Sequence, residues 1–487
     1  MAADSQVIFA RTSSLTGPFK TLVVNDLLGS GGGTFAMNTN IPALKGDLLV
    51  IKKTSQGNYL VSFDNQPQSL DGPANKGLLV VQTADGQATF QGQAEAGTFK
   101  ERLVRGNGSP VIPDPKSWYL VREDQPVPNP PPTSSQPSPV PEPPPVSRAD
   151  ALTNTANAAI ATYSAAVPLY YTDMQTLVQR LGELRLSIQP PVTESAEQPP
   201  SGKGAVESKQ VAPPPAPPTD QWGVWVRGFG TGTRIDNSGS RTFDQNAGGF
   251  QIGADKPLRS LWSGDLYLGI FGGYVYASRD FRDGGDGSAN QMSLGAYTTW
   301  IHPNGWYADL VVKYSQMWSY FRTPNLNGSI STADYDVPAL GGSLEVGKRF
   351  DLGRGLFFIE PQAQLAAVWI DGASYAASNG LRVSGEDQTS LQGRLGGRAG
   401  MHIDFSQQRA VELYLKAEAI QEFLTGNTVT TNSTPSDANL SGTVGRFGGG
   451  VTAKVSRSTY LYAEYDYATG DHFQQPWFVN VGLRWQW

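Results

Sequence analysis

Cysteine is absent from the 487 residues, which excludes disulfides and thiol catalysis. No run approaches 18 consecutive apolar residues, so the chain encodes no helix of membrane-spanning length. Charge is sparse, at 16% of residues with a net value of −6, and the acids and bases are interspersed; nucleic acid is not expected as a partner. The three histidines, His302, His402 and His472, stand on separate segments without ligand spacing, and no metal or other cofactor is expected. No G-x-S-x-G elbow occurs. Gly342-Ser-Leu-Glu-Val-Gly347-Lys348 has the spacing of a phosphate-binding loop, but Arg349 follows where Ser or Thr would hold the metal, and the run lies inside an alternating segment. The chain is therefore not expected to be an enzyme. The opening Met1-Ala-Ala-Asp-Ser5 lacks the basic and apolar regions of an export signal.

What is abundant is glycine, at 55 residues, together with aromatics at 10% and strict alternation. The last segment, Trp477 to Trp487, sets Trp477, Val479, Val481, Leu483, Trp485 and Trp487 on one face and Asn480, Gly482, Arg484 and Gln486 on the other. A tilted β-strand crosses a membrane in about 9–11 residues, so this reads as an outer-membrane strand. From residue 221 onward about twelve such segments follow: 221–232, 243–257, 262–278, 289–302, 305–320, 334–350, 356–371, 389–404, 409–424, 440–456, 458–470 and 476–487. An even number suits a closed bacterial barrel. Short connections such as 302–305 and 456–458 are expected at the periplasmic end, and long ones such as 372–388 and 425–440 outside. Glu360, Arg394, Arg398, Glu412, Lys416 and Glu418 fall on lumen faces. Trp225, Trp262, Trp300, Trp306, Trp318, Trp477, Trp485 and Trp487 are expected to form interface girdles. Because an outer-membrane barrel requires an export signal, the chain reads as the C-terminal part of a longer precursor, and the absence of cysteine suits a chain that crosses an oxidising periplasm unfolded.

Upstream, residues 1–124 carry short β-type runs at even spacing: 20–24, 47–52, 58–63, 77–81, 99–104 and 117–121. Even spacing fits a sandwich or stacked solenoid rungs, and the solenoid is preferred. Residues 125–147 are a Pro/Ser spacer and 190–220 a second Pro-rich linker. Between them, 148–189 is rich in Ala, Leu, Thr and Gln, with Leu177, Leu181, Leu184 and Ile188 at helical spacing and Pro168 placed to kink or divide it. The fold expected is all-β with one internal helical segment: a β-solenoid stem, then a 12-stranded antiparallel transmembrane barrel over 221–487 plugged by an α-helix.

Several motifs carry a resemblance. Gly223-Val-Trp-Val-Arg-Gly-Phe229, Arg241-Thr-Phe-Asp-Gln245, Gly249-Phe-Gln-Ile-Gly-Ala-Asp255, Phe358-Ile-Glu-Pro-Gln-Ala363 and Gly380-Leu-Arg-Val383 resemble the translocator domain of pertactin-like type V autotransporters. Pro18-Phe-Lys-Thr-Leu-Val-Val-Asn25 with Leu28-Gly-Ser30, and Leu78-Leu-Val-Val-Gln-Thr83, resemble the C-terminal stem of the family's β-helical passenger, which acts as an autochaperone. Arg180-Leu-Gly-Glu-Leu-Arg-Leu186 is similar to the family's pore-spanning linker. The resemblance implies an outer-membrane barrel that secretes or displays its own N-terminal passenger, here of adhesin type, with the stem at the cell surface. It implies as partners the barrel assembly machinery, periplasmic chaperones, and the lipid and lipopolysaccharide of the outer membrane, around a monomeric chain. Within the linker helix Arg180, Glu183 and Arg185 would meet the lumen charges, and Leu483, Trp485 and Trp487 would form the assembly signal.

In many relatives the linker is cut after an asparagine, and the motif places that position at Gln175, followed by Thr176, with Asp173 where relatives carry Glu. Glutamine has one more methylene and would close a less favourable six-membered ring, so no cut is expected at Gln175–Thr176. A general outer-membrane porin with an N-terminal periplasmic domain is the alternative. The order of parts argues against it, since a porin has no use for a Pro-linked helix of pore length directly before its first strand.

Overall fold

The computed structural model describes residues 4–10, 18–29, 32–126, 146–175, 222–282, 284–353, 355–406 and 408–487. Both Pro-rich tracts, apart from their edges, and the linker motif Arg180–Leu186, with Thr176, Leu177 and Ile188, lie outside the described residues.

The stem is a solenoid. Gln6–Ile8, Gly33–Asn40, Asn58–Asn65 and Thr89–Gln91 stack as parallel strands, and Thr21–Val24, Leu48–Ile51 and Leu78–Thr83 form a second parallel sheet. Alternate side chains point inward, and Phe35, Tyr59 and Phe90 stack from rung to rung, with Phe35–Tyr59 and Tyr59–Phe90 centroids 5.8 and 5.5 Å apart. The parallel pattern then stops. Trp118–Arg122 pairs antiparallel with Leu78–Thr83 and with Phe99–Arg105, and Trp118 meets Phe90 edge-on at 5.0 Å, closing the core.

The barrel strands are β1 (Gly223–Ile235), β2 (Phe243–Leu261), β3 (Gly264–Asp280), β4 (Asp286–Ile301), β5 (Trp306–Pro324), β6 (Ile330–Lys348, resuming at Phe350–Leu352), β7 (Phe357–Ile370), β8 (Gln388–Ser406), β9 (Arg409–Glu422), β10 (Gly442–Lys454), β11 (Thr459–Gly470) and β12 (Phe473–Gln486). The two pieces of β6 keep one register against β7, with Gly347 opposite Gln362 and Phe350 opposite Ile359, so they count as one strand and the barrel has twelve. Neighbouring strands pair antiparallel throughout, and β12 closes on β1 from Gly223↔Gln486 to Ile235↔Phe473. Closure leaves no unpaired edge in the hydrocarbon, which is the condition for a β-structure to span a membrane.

Turns of a few residues occupy one end. At the other end, the longest connections fold into a small sheet of Ser374–Ala376, Arg382–Gly385, Thr428–Thr431 and Thr434–Asp437. The stem sits on this loop end: Thr98 Oγ1 donates to the Thr431 carbonyl at 3.1 Å, Asn432 Nδ2 to Asp71 Oδ1 at 2.8 Å, and the Leu326 amide to Glu95 Oε2 at 2.9 Å.

One girdle assignment is corrected. Trp225 is buried and points into the barrel, where its Nε1 donates to Tyr297 Oη at 2.7 Å. The register sets Gly253 opposite, and a Cβ there would lie 2.3 Å from the indole. The wall has a glycine hole for this ring, and the outward side chains of β1 are Val224 and Val226 instead.

Candidate functional site

The lumen is filled by the chain itself. After α1 (Arg148–Ala151), Thr153 caps α2 (Asn154–Ser164) by accepting from the Ala156 amide. Alanine is the strongest helix former, and four alanines with small polar neighbours make a thin rod that fits between barrel walls. The rod is buried all round, with Ala158, Ala159 and Ile160 in one cluster with Phe243, Phe281 and Phe321 of the wall. A turn at Ala165 divides it, and helix resumes over 166–175. Pro168 is the cause, since it has no N–H for the Ser164 carbonyl.

Polar contacts fix the rod at successive depths. Thr155 Oγ1 meets Thr323 Oγ1 at 3.2 Å, Ser164 Oγ accepts from Asn237 Nδ2 at 3.0 Å, and Tyr163 Oη donates to the Glu386 carbonyl at 2.8 Å. Tyr170 Oη donates to the Lys313 carbonyl at 2.9 Å. The deepest of these anchors is ionic. Lys313 Nζ pairs with Asp173, donates to the Tyr170 carbonyl at 2.6 Å and lies 3.7 Å from the Tyr170 ring centroid. Ser293 Oγ supplies the second carboxylate oxygen with a donor at 2.9 Å. Both charged side chains are 0% exposed.

The sequence-selected lumen residues do face inward, but they bind one another. Arg398 grips Glu360 from the adjacent strand at 3.0 and 3.2 Å. Arg394 joins Glu345 to Glu418, the latter at 3.4 Å. Glu412 meets Arg349 at 2.7 Å and His402 at 3.2 Å, and Lys416 holds Glu464 and, at 2.7 Å, Asp466. These charges thus have partners within the wall. Of the expected plug charges, Arg180, Glu183 and Arg185 lie outside the described residues, and over 154–175 Asp173 is the single charged residue.

The three residues at the expected processing position are not assembled into one centre. Asp173 is committed to Lys313 and Ser293, whereas Gln175 lines the lumen beside Arg394, Arg398 and Glu418; Thr176 lies outside the described residues. Leu483, Trp485 and Trp487 stand on the outer face of the closing strand, and the Trp487 amide donates to the Trp222 carbonyl at 3.1 Å. Sequence reasoning passed over Lys313 and the buried pair Arg484–Asp255, whose Nη1–Oδ2 contact is 2.7 Å. Parity within their strands was the available signal, because both Lys313 and Arg484 occupy inward positions between outward apolar residues.

Comparison with known proteins agrees with this architecture. The family described as Autotransporter beta-domain matches residues 224–466, and the family described as Pertactin matches residues 1–122. The chain belongs to the autotransporter family. The pertactin autotransporter of Bordetella bronchiseptica is 33% identical over all of this chain and 51% of its own length. The autotransporter adhesin/invasin TibA of an Escherichia coli O78:H11 strain is 28% identical over 97% of this chain and 47% of its own. The crystal structure of the beta domain of the Bordetella autotransporter BrkA is 32% identical, covers 54% of this chain and 98% of that one, and superposes with a TM-score of 0.46. The chain spans about half the length of the pertactin relatives it matches. As an autotransporter, it places its barrel in the bacterial outer membrane as a translocator, and the porin alternative is not favoured.

Proposed function

We propose that this autotransporter carries an adhesin-type passenger to the cell surface and keeps it there, joined to the barrel through the segment 148–189, which remains as a plug. The observation that carries this reading is the unbroken described path from α1 through Gln175, locked at mid-depth by Asp173 and Lys313. A helix held by a fully buried ion pair leaves the lumen only by exposing or separating two charges, which is costly. Retention is further supported at Gln175, where ring closure of a glutamine side chain on its own carbonyl is less favourable than that of asparagine, and where the neighbouring acid Asp173 is engaged elsewhere.

The stem acts as the folding template. Among the described residues its first rung, Gln6–Ile8, pairs on one side only, while its last strands are closed by Trp118 and anchored on the loops. The adhesin assignment rests on the TibA relative's description. Assembly would use the outer-membrane barrel machinery and periplasmic chaperones, recognising the strand that ends in Leu483, Trp485 and Trp487, with lipid and lipopolysaccharide around a monomeric barrel.

Deleting 154–175 and recording conductance in planar bilayers tests the plug, and a conductance equal to that of the full chain would refute it. Intact-mass analysis of the outer-membrane fraction tests retention: one species holding stem and barrel in a single chain is expected, and a barrel fragment beginning at Thr176 would refute it.

A further inference from the structure

Arg279 stands apart from the lumen cations described above. It is 3% exposed, near the loop end of β3, and its Nε donates to Gln245 Oε1 at 2.9 Å. Its two terminal nitrogens have no hydrogen-bond partner, and among the described residues no carboxylate pairs with it. Lys313, Arg349, Arg394, Arg398, Lys416 and Arg484 each hold at least one acid.

Two tyrosine hydroxyls lie beside Arg279. Tyr335 of β6 and Tyr375 of the loop sheet are the groups within electrostatic reach of the guanidinium; their rings stack at 4.8 Å and 9°, the Tyr375 hydroxyl has no partner among the described residues, and the Tyr335 hydroxyl faces Ser319. Thr162 Oγ1 is buried and unpartnered as well. It lies seven residues after Thr155, hence on the same face of α2 two turns deeper. Since Thr155 meets Thr323 of β5, the face of Thr162 meets that strand near Ser319, which the register sets opposite Tyr335.

We propose that Arg279, Tyr335, Tyr375 and Thr162 form a binding site for a small monovalent inorganic anion of the halide class, held between the plug helix and the wall. The site offers the two terminal guanidinium nitrogens and three hydroxyls as donors, and no carboxylate. A buried guanidinium needs a counter-charge as well as acceptors, and a water molecule supplies acceptors alone. Because the donors come from β3, β6, the loop sheet and α2, an anion here ties the plug to the barrel at the mouth, as Asp173 and Lys313 tie it at mid-depth.

Bromide serves as the probe. Crystals of the full chain grown in bromide should show an anomalous peak at hydrogen-bonding distance from the terminal nitrogens of Arg279. The heat-modifiability midpoint of the detergent-extracted chain should rise by about 3 °C or more in sodium bromide over sodium gluconate at equal ionic strength. Arg279→Gln should abolish that difference while the barrel still assembles; should that variant fail to assemble, Tyr375→Phe, which removes one donor outside the membrane wall, should shrink it. No peak at Arg279, or an equal bromide response in the wild type and the variant, overturns the proposal.

Discussion

Replacing Asp173 by Leu leaves the Lys313 ammonium at 0% exposure with the Tyr170 carbonyl and ring as its remaining contacts. Removing one partner of a buried pair typically costs about 3–5 kcal/mol, because the charge left behind is neither solvated nor paired. At roughly 2–4 °C per kcal/mol for a domain near the barrel's size, the heat-modifiability midpoint should fall by about 10 °C. Lys313→Met should cost a similar amount, since the buried carboxylate would then lose its counter-charge. The double variant Asp173→Leu with Lys313→Met removes both charges together and should lie near the wild type, as apolar replacement of buried pairs is often neutral or stabilising. Conductance reports the same event from the pore: each single variant should open more often and the double variant should stay closed. Single variants that shift the midpoint by less than about 2 °C, or a double variant whose loss equals the sum of the singles, would refute the view that this pair locks the plug.

Trp487→Ser should lower the yield of heat-modifiable barrel, because Trp487 extends the outward aromatic face of the closing strand and its amide bonds Trp222 across the seam; unchanged yield would place the assembly signal elsewhere. Trp118→Ser opens the aromatic end of the stem core and should make the stem protease-sensitive while leaving the barrel heat-modifiable, and equal failure of both would show that they fold as one unit. Burial pushes the Glu101 carboxyl well above its ordinary 4.5, against the opposing pull of Arg122. A raised folded-state pKa means that its stabilisation is fully present below the unfolded value and is lost as pH rises through the folded one, so the stem should resist unfolding best in mild acid. Denaturant midpoints across that range should decline with pH, and Glu101→Gln should flatten the decline.

Much of the fold was legible in the sequence because a membrane barrel writes its pattern in parity. Each of the twelve alternating segments corresponds to an observed strand, since one face must be apolar and the other polar whatever the neighbouring strands are. The same rule failed at Trp225, where a large aromatic sits on the inward face because Gly253 on the next strand leaves room for it; that hole is set by register between strands. In the stem, the apolar strands such as Leu48–Ile51 and Leu78–Thr83 were visible, but Gly33–Asn40 was not. Its outward residues Thr34, Ala36, Asn38 and Asn40 are small or polar, and its strand character comes from parallel pairing with Asn58–Asn65.

The sequence by itself determined the twelve barrel-type strands and the break of the internal helix near Pro168, because these depend on period and the chemistry of single residues. The tertiary structure alone decided which charges meet. Lys313 and Asp173 lie 140 positions apart, and Arg484 and Asp255 lie 229 apart. In a closed lumen, the partner of an inward charge is fixed by barrel register and helix depth, neither of which any local stretch of sequence specifies.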